Sequence, residues 1–126
     1  MRKFGPDSVI SVVAPFYNEA KNIKTFVEEL KGEFEKIGCA KQYELILVND
    51  GSTDGSDRVL ESIIKDHAAK IKVVHLSRNF GHSSAVYAGL EHASGQVVIL
   101  MDSDMQDDPA CFDLFLQKWR EGYDVV

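Results

Sequence analysis

At 126 residues the chain has room for one domain around one hydrophobic core. Its 44% apolar and 27% charged residues are those of a soluble globular protein, which excludes disorder as the default state. A net charge of −6 without a long basic run excludes a general nucleic-acid surface, which needs cationic side chains against phosphates.

The start of the chain, Met1 to Pro6, is too polar for a secretory apolar core, and the longest apolar runs, about six residues, are far below the roughly 20 needed to cross a bilayer. Cys39 and Cys111 form no C-x-x-C pair and are read as reduced thiols of a cytoplasmic protein. A small phosphorylated ligand stays compatible with the acidic balance, because a bound divalent cation can supply local positive charge.

In chain order, Val9 to Ala14 is a β-branched run closed by Pro15, which predicts a buried strand. Glu19 to Ile37 carries Ile23, Phe26, Val27, Leu30, Phe34 and Ile37 on one helical stripe, with Gly38 as its stop. Tyr43 to Val48 is a second strand, followed by turn residues Gly51 to Gly55 and a helix marked by Val59, Leu60, Ile63, Ile64 and His67. Ile71 to Leu76 is a third strand, Arg78 to Gly81 a loop, and Ser83 to Ala93 a helix of small residues. Gln96 to Met101 is a fourth strand, Asp102 to Pro109 an acidic loop, and Pro109 opens a helix through Trp119. Tyr123 to Val126 reads as the start of a fifth strand, which suggests that the domain continues in a longer chain and leaves an edge open to pairing with another copy. The alternation predicts an open, mostly parallel α/β sheet with helices on both faces, residues 1–126 forming part of one domain.

In such sheets ligands bind outside the carboxyl ends of the strands. Polar residues gather at all four of these ends: Pro15 to Glu19, Asn49 to Asp54, Ser77 to His82 and Asp102 to Asp108, whereas the amino ends offer nothing of note. Asp102 and Asp104, spaced i, i+2 on extended backbone, point the same way and repel unless a cation lies between them. A hard ion such as Mg²⁺ or Mn²⁺ suits them, and Gln106 extends the series with a neutral oxygen. Asp107 and Asp108 read better as helix-starting acids. Asp50 either accepts from a base N–H or organises an Asx-turn over Gly51 to Thr53. Phe16 and Tyr17 either flank a flat base or pack structurally, and Arg78 and Asn79 lie where a diphosphate or ribose could pass. His67 and His75 read as packing or edge residues, while the role of His82 stays open.

Asp50, Ser52, Asp54, Gly55 and Glu61 fit an EF-hand calcium loop in spacing, but the residue at its aliphatic position is Asp57 and a strand, not a helix, precedes it. A P-loop, a dinucleotide Gly-x-Gly-x-x-Gly after the first strand and a Gly-x-Ser-x-Gly elbow are all missing from the sequence.

VVAPFYNEAKNI, ELILVNDGSTDGS, LSRNFGHSSAVYAGL and VVILMDSDMQDDP occur in the order and spacing of family 2 glycosyltransferases, and the chain most resembles the subgroup that loads sugars onto polyprenyl or dolichyl phosphate. The resemblance implies a GT-A-like fold and a nucleoside-diphosphate sugar donor, with UDP favoured over GDP. Pro15, Tyr17, Glu19 and Asp50 would line the nucleotide pocket, with Asp50 on the base. Asp102 and Asp104 match the Asp-x-Asp signature and Gln106 a metal-contacting glutamine, so the implied cofactor is Mg²⁺ or Mn²⁺. The acceptor implied is a lipid phosphate at the cytoplasmic face of a membrane, and the stretch Arg78 to Gly81 favours the bacterial branch. Any catalytic base and the acceptor-side residues are expected beyond Val126. The competing reading is a non-catalytic nucleotide- or metal-binding module of the same fold.

Overall fold

The structure is a computed structural model that describes residues 3, 5, 7–38, 42–67, 70–103 and 111–126. Strands and helices alternate as β1 (Ile10–Phe16), α1 (Ile23–Lys36), β2 (Tyr43–Asn49), α2 (Ser56–His67), β3 (Ile71–His75), α3 (His82–Glu91), β4 (Val97–Leu100) and α4 (Cys111–Arg120). The strands form one parallel sheet in the order β3-β2-β1-β4. The expected open parallel α/β architecture is therefore the observed one.

Side chains alternate across a strand, and the sheet uses both faces. Ile10, Val12, Ala14 and Phe16 of β1 join Leu45 and Leu47 of β2 in a core completed by Phe26, Leu30 and Phe34 of α1, Leu60 and Ile63 of α2, and Phe112 and Leu116 of α4. Phe34 anchors it, stacked on Tyr43 at 4.4 Å between ring centroids and tilted against Phe112 at 5.1 Å. Val13, Ile46 and Val48 point to the opposite face, where Ala85 of α3 covers them. That helix lies unusually close to the sheet, because a Cβ at Gly89 would come within 2.3 Å of Val13 Cγ1. The small-residue composition of α3 is thus a packing requirement.

β1 does not close at Pro15 but continues to Phe16. The ladder explains why. Met101 N–H donates to Val13 O and Asp50 N–H to Phe16 O, so odd positions of β1 face β4 and even ones face β2. Pro15 turns its missing donor toward β4, whose pairing ends at Val13↔Leu100, while pairing with β2 continues through Phe16↔Asn49. Proline ends one ladder and leaves the other intact.

Three other expectations change. Tyr123 to Val126 forms no strand; with Val98, Leu100 and Trp119 it lines a cavity of about 380 Å³, and Val125 is 88% exposed. Glu19 to Asn22 make a turn rather than the first turn of α1, Asn22 and Ile23 N–H both donating to Glu19 O at 3.0 and 3.1 Å. α2 starts earlier than its apolar stripe, at Ser56. Cys39, Asp107, Asp108 and Pro109 lie outside the described residues, and Cys111 is a free thiol. Among the described residues no helix is long and apolar enough to cross a membrane.

The amino ends of the strands carry a network that the sequence reading passed over. Glu44 Oε1 accepts from Ser11 Oγ at 2.7 Å, Ser94 N–H at 2.7 Å and Ser94 Oγ at 2.8 Å, while Lys72 Nζ lies 2.9 Å from Oε2. Burial alone would raise the Glu44 pKa, but the donors from Ser94, Lys72 and Ser11 outweigh it and hold the group at about 2. The network ties β2 to β1, β3 and the turn before β4, at the end of the sheet opposite the candidate site.

Candidate functional site

The segments that leave the carboxyl ends of β1, β2 and β3 are tied together by side chains from the end of β2 and the β2–α2 loop. Asn49 is buried; its Oδ1 accepts from Ser52 N–H at 3.0 Å and its Nδ2 donates to Asp57 Oδ1 at 2.8 Å. His75 Nδ1 lies 3.2 Å from the same Nδ2, so this histidine borders the loop rather than packing in the core. Ser52 Oγ accepts from Asn18 N–H at 2.9 Å, and Asn18 Oδ1 accepts from Thr53 N–H at 2.8 Å. Asp54 Oδ2 accepts from Ala20 N–H at 3.0 Å, and Oδ1 from Ser56 N–H at 3.1 Å and from the Ser56 hydroxyl. Desolvation pushes the Asp54 pKa up, yet these donors prevail and hold it below its ordinary value.

Asp50, 4% exposed, reaches the other way. Its Oδ1 accepts from Phe80 N–H at 2.8 Å, and its Oδ2 from Gly81 N–H at 3.1 Å and Asn79 Nδ2 at 3.3 Å. The carboxylate sits at the amino end of α3, where the helix dipole favours a negative charge. The next residue allows the approach: Gly51 has φ +74°, and a Cβ there would meet Arg78 C and Asn79 N at 2.4 Å. The Asp50–Gly51 step thus fixes the β3–α3 loop against the end of β2.

Between these loops lies a cleft of about 580 Å³, lined by Pro15, Tyr17, Glu19, Asp50, Asn79 and Asp102 from the predicted set. Phe16, Gly81, His82, Ala85 and Ser103 complete the wall. The cleft opens at the carboxyl ends of β1 and β4, where the sheet order reverses, the position at which open α/β sheets hold ligands. Tyr17, 46% exposed, stands at the rim, and Glu19 is steadied by Asn22 Nδ2 at 2.9 Å.

Arg78 does not line the cleft. Its guanidinium lies 4.1 Å from the centre of the Phe80 ring, a cation–π contact that holds it beside the β3–α3 loop. Asp104 and Gln106 lie outside the described residues, so Asp102 is the one described member of the expected metal set. Among the described residues no three metal-ligating side chains cluster. The calcium-loop reading finds no support in the geometry, since Asp50, Ser52 and Asp54 serve donors on two different segments, the β3–α3 loop for Asp50 and the β1–α1 loop for Ser52 and Asp54. His82, whose role the sequence leaves open, is the first residue of α3 and part of the cleft wall. Ser103 and Ala85 carried no sequence signal beyond adjacency to a strand end and a helix start.

Fold and cleft together define an open parallel α/β protein with a polar, carboxylate-bearing cleft at its switch point. The chain matches glycosyl transferase family 2 over residues 11–126 and belongs to that family. It is 35% identical over 126 residues to the undecaprenyl-phosphate 4-deoxy-4-formamido-L-arabinose transferase of Klebsiella pneumoniae (strain 342), covering 100% of this chain and 38% of that one. Among solved structures it resembles the mannosyltransferase PcManGT from Pyrobaculum calidifontis in complex with GDP-Man and Mn²⁺, with a TM-score of 0.69 and 25% identity over 78% of this chain and 28% of that one. It also resembles GalNAc-T7 with UDP, GalNAc and Mn²⁺, with a TM-score of 0.62 and 28% identity over 76% of this chain and 18% of that one. The chain spans between 35% and 38% of the length of the curated relatives it matches. The GT-A-like architecture implied by the sequence motifs is the one shared with these glycosyltransferase structures.

Proposed function

We propose that the chain forms the donor-binding part of an inverting, divalent-metal-dependent glycosyltransferase that moves a sugar from a nucleoside diphosphate, UDP in preference to GDP, to a polyprenyl phosphate. The observation that carries this reading is the convergence of Pro15, Tyr17, Glu19, Asp50, Asn79 and Asp102 on one cleft at the switch point. Its volume, about 580 Å³, lies within the range of small-molecule sites. The Klebsiella relative is named for an undecaprenyl-phosphate acceptor, which supports the acceptor class; in this reading the whole protein works at the cytoplasmic face of a membrane.

In this reading Tyr17 and Pro15 offer the flat and apolar surfaces that a base needs. Asp50, whose three accepted hydrogen bonds leave little spare capacity, holds the Asn79 to Gly81 wall and meets the base with what remains. The cleft wall carries oxygen ligands in the carboxylates of Asp102 and Glu19, and this hard, anionic chemistry fits Mg²⁺ or Mn²⁺. Asp102, with Asp104 and Gln106, would hold the ion, which when bound stabilises the charge that grows on the departing diphosphate. A phosphate acceptor is anionic at neutral pH and attacks without a strong base, so no catalytic base is assigned within these residues.

The test is transfer from UDP-sugars and GDP-mannose to undecaprenyl phosphate by the full-length protein, with the product's anomeric configuration read by NMR. Inversion with a UDP-sugar is expected. Retention would overturn the displacement chemistry, and metal-dependent binding without transfer would leave a non-catalytic module.

A further inference from the structure

We propose that Asn18 is a positioning residue for the cleft, holding Tyr17 and Glu19 against it from outside; this inference rests on the donor-site reading above. Asn18 lies between two cleft-lining residues and does not line the cleft itself. Its φ is +54°, making it the one non-glycine residue with positive φ among the described residues. Asparagine tolerates this left-handed conformation better than most residues, but surrounding contacts must hold it there.

The contacts are reciprocal. Asn18 N–H donates to Ser52 Oγ at 2.9 Å, and its Oδ1 accepts from Thr53 N–H at 2.8 Å. One residue beyond Glu19, Ala20 N–H donates to Asp54 Oδ2 at 3.0 Å. The chain on both sides of Glu19 is therefore tethered to the β2–α2 loop by three hydrogen bonds, two from its backbone N–H groups and one to the Asn18 side chain. That loop is anchored in turn: Ser52 N–H donates to Asn49 Oδ1 at 3.0 Å, and Asn49 is buried. The chain leaves β1 at Phe16, turns through Asn18 and re-enters α1 at Ile23, so the conformation of this one residue sets the direction in which its two neighbours project.

Three substitutions separate side-chain tether from backbone conformation. N18A removes the acceptor and disfavours positive φ. N18G permits positive φ and removes the acceptor. N18D keeps both an acceptor oxygen and tolerance of the left-handed region. The probes are UDP and GDP, each with Mn²⁺, titrated at a temperature where circular dichroism shows the protein folded. N18A is expected to raise the nucleotide Kd about tenfold and N18G roughly threefold to tenfold, while N18D stays within about twofold of wild type, the size of effect set by one or two lost hydrogen bonds. Should N18A fail to fold, the N18G and N18D pair decides. Wild-type affinity in folded N18G, or failure of N18D to restore binding, would overturn the positioning role while leaving the donor site standing. Folded wild-type protein that binds neither nucleotide would instead overturn the donor reading and this inference with it.

Discussion

Replacing Glu44 by glutamine tests how the sheet is closed at the end away from the cleft. The carboxylate accepts three hydrogen bonds on Oε1 and pairs with Lys72 on Oε2. Its pKa in the folded chain is about 2, against 4.5 for the free group. A folded pKa below the unfolded one means that the stabilisation is fully present above pH 4.5 and is lost as pH falls through 2. At about 1.4 kcal/mol per pH unit the displacement sets a ceiling of roughly 3 kcal/mol. Lys72 is half exposed, so screening brings the expected value to about 1–3 kcal/mol. Glutamine keeps the shape but places an uncharged amide against Lys72. Urea unfolding of wild type and E44Q at pH 6, 4 and 2.5 reads the difference directly. The gap should be about 1–3 kcal/mol at pH 6 and shrink steadily toward pH 2.5. A gap that stays constant with pH would refute the charge-based account, and no gap at pH 6 would refute the network's contribution altogether.

Gly89→Ala forces a Cβ to within 2.3 Å of Val13 Cγ1 and should cost about 1–3 kcal/mol by overpacking; a double-mutant cycle with Val13→Ala should recover a large part of it, and additivity would argue against the contact. Gly51→Ala combines positive φ with a 2.4 Å clash against the backbone of Arg78 and Asn79, neither of which can swing aside, so a loss of roughly 2–4 kcal/mol in thermal or urea unfolding is expected. Asp50→Asn leaves Phe80 N–H or Gly81 N–H facing an amide N–H and should cost about 1–3 kcal/mol, read in the same way. Arg78→Ala, which removes a residue outside the cleft lining, should change nucleotide affinity less than threefold by calorimetric titration.

Much of the architecture was legible because the signals are local. The β-branched runs of β1 and β2 are buried on both faces, and a strand in that position needs no polar alternation. The stripe from Ile23 to Phe34 gave α1, and the turn before it escaped because Glu19 to Asn22 bond within themselves. Pro15 misled because its effect depends on which neighbour it faces, information held by the sheet order alone. The cleft was legible through topology: in a parallel sheet the carboxyl ends share one edge, so residues scattered from Pro15 to Asp102 had to come together there. What the sequence could not display is how each polar group is spent. Asp50 and Asp54 look alike in the string, yet one serves the β3–α3 loop and the other the β1–α1 loop. Glu44 read as an ordinary strand residue because its partners lie 33 and 50 positions away. Arg78, placed by the sequence where a diphosphate could pass, lies over the Phe80 ring and outside the cleft lining.

The donor-site reading proposed above puts a nucleotide sugar together with a divalent cation in the cleft between β1 and β4. Calorimetric titration of UDP-glucose and GDP-mannose into the chain, with and without Mn²⁺, tests it most directly when wild type is compared with Asp102→Ala. Binding that requires Mn²⁺ and weakens at least about tenfold in Asp102→Ala is the expected result, since the substitution removes a charged oxygen ligand from the cleft wall. Equal binding with and without Mn²⁺, unchanged in Asp102→Ala, or no binding of either donor to folded protein, would contradict the claim.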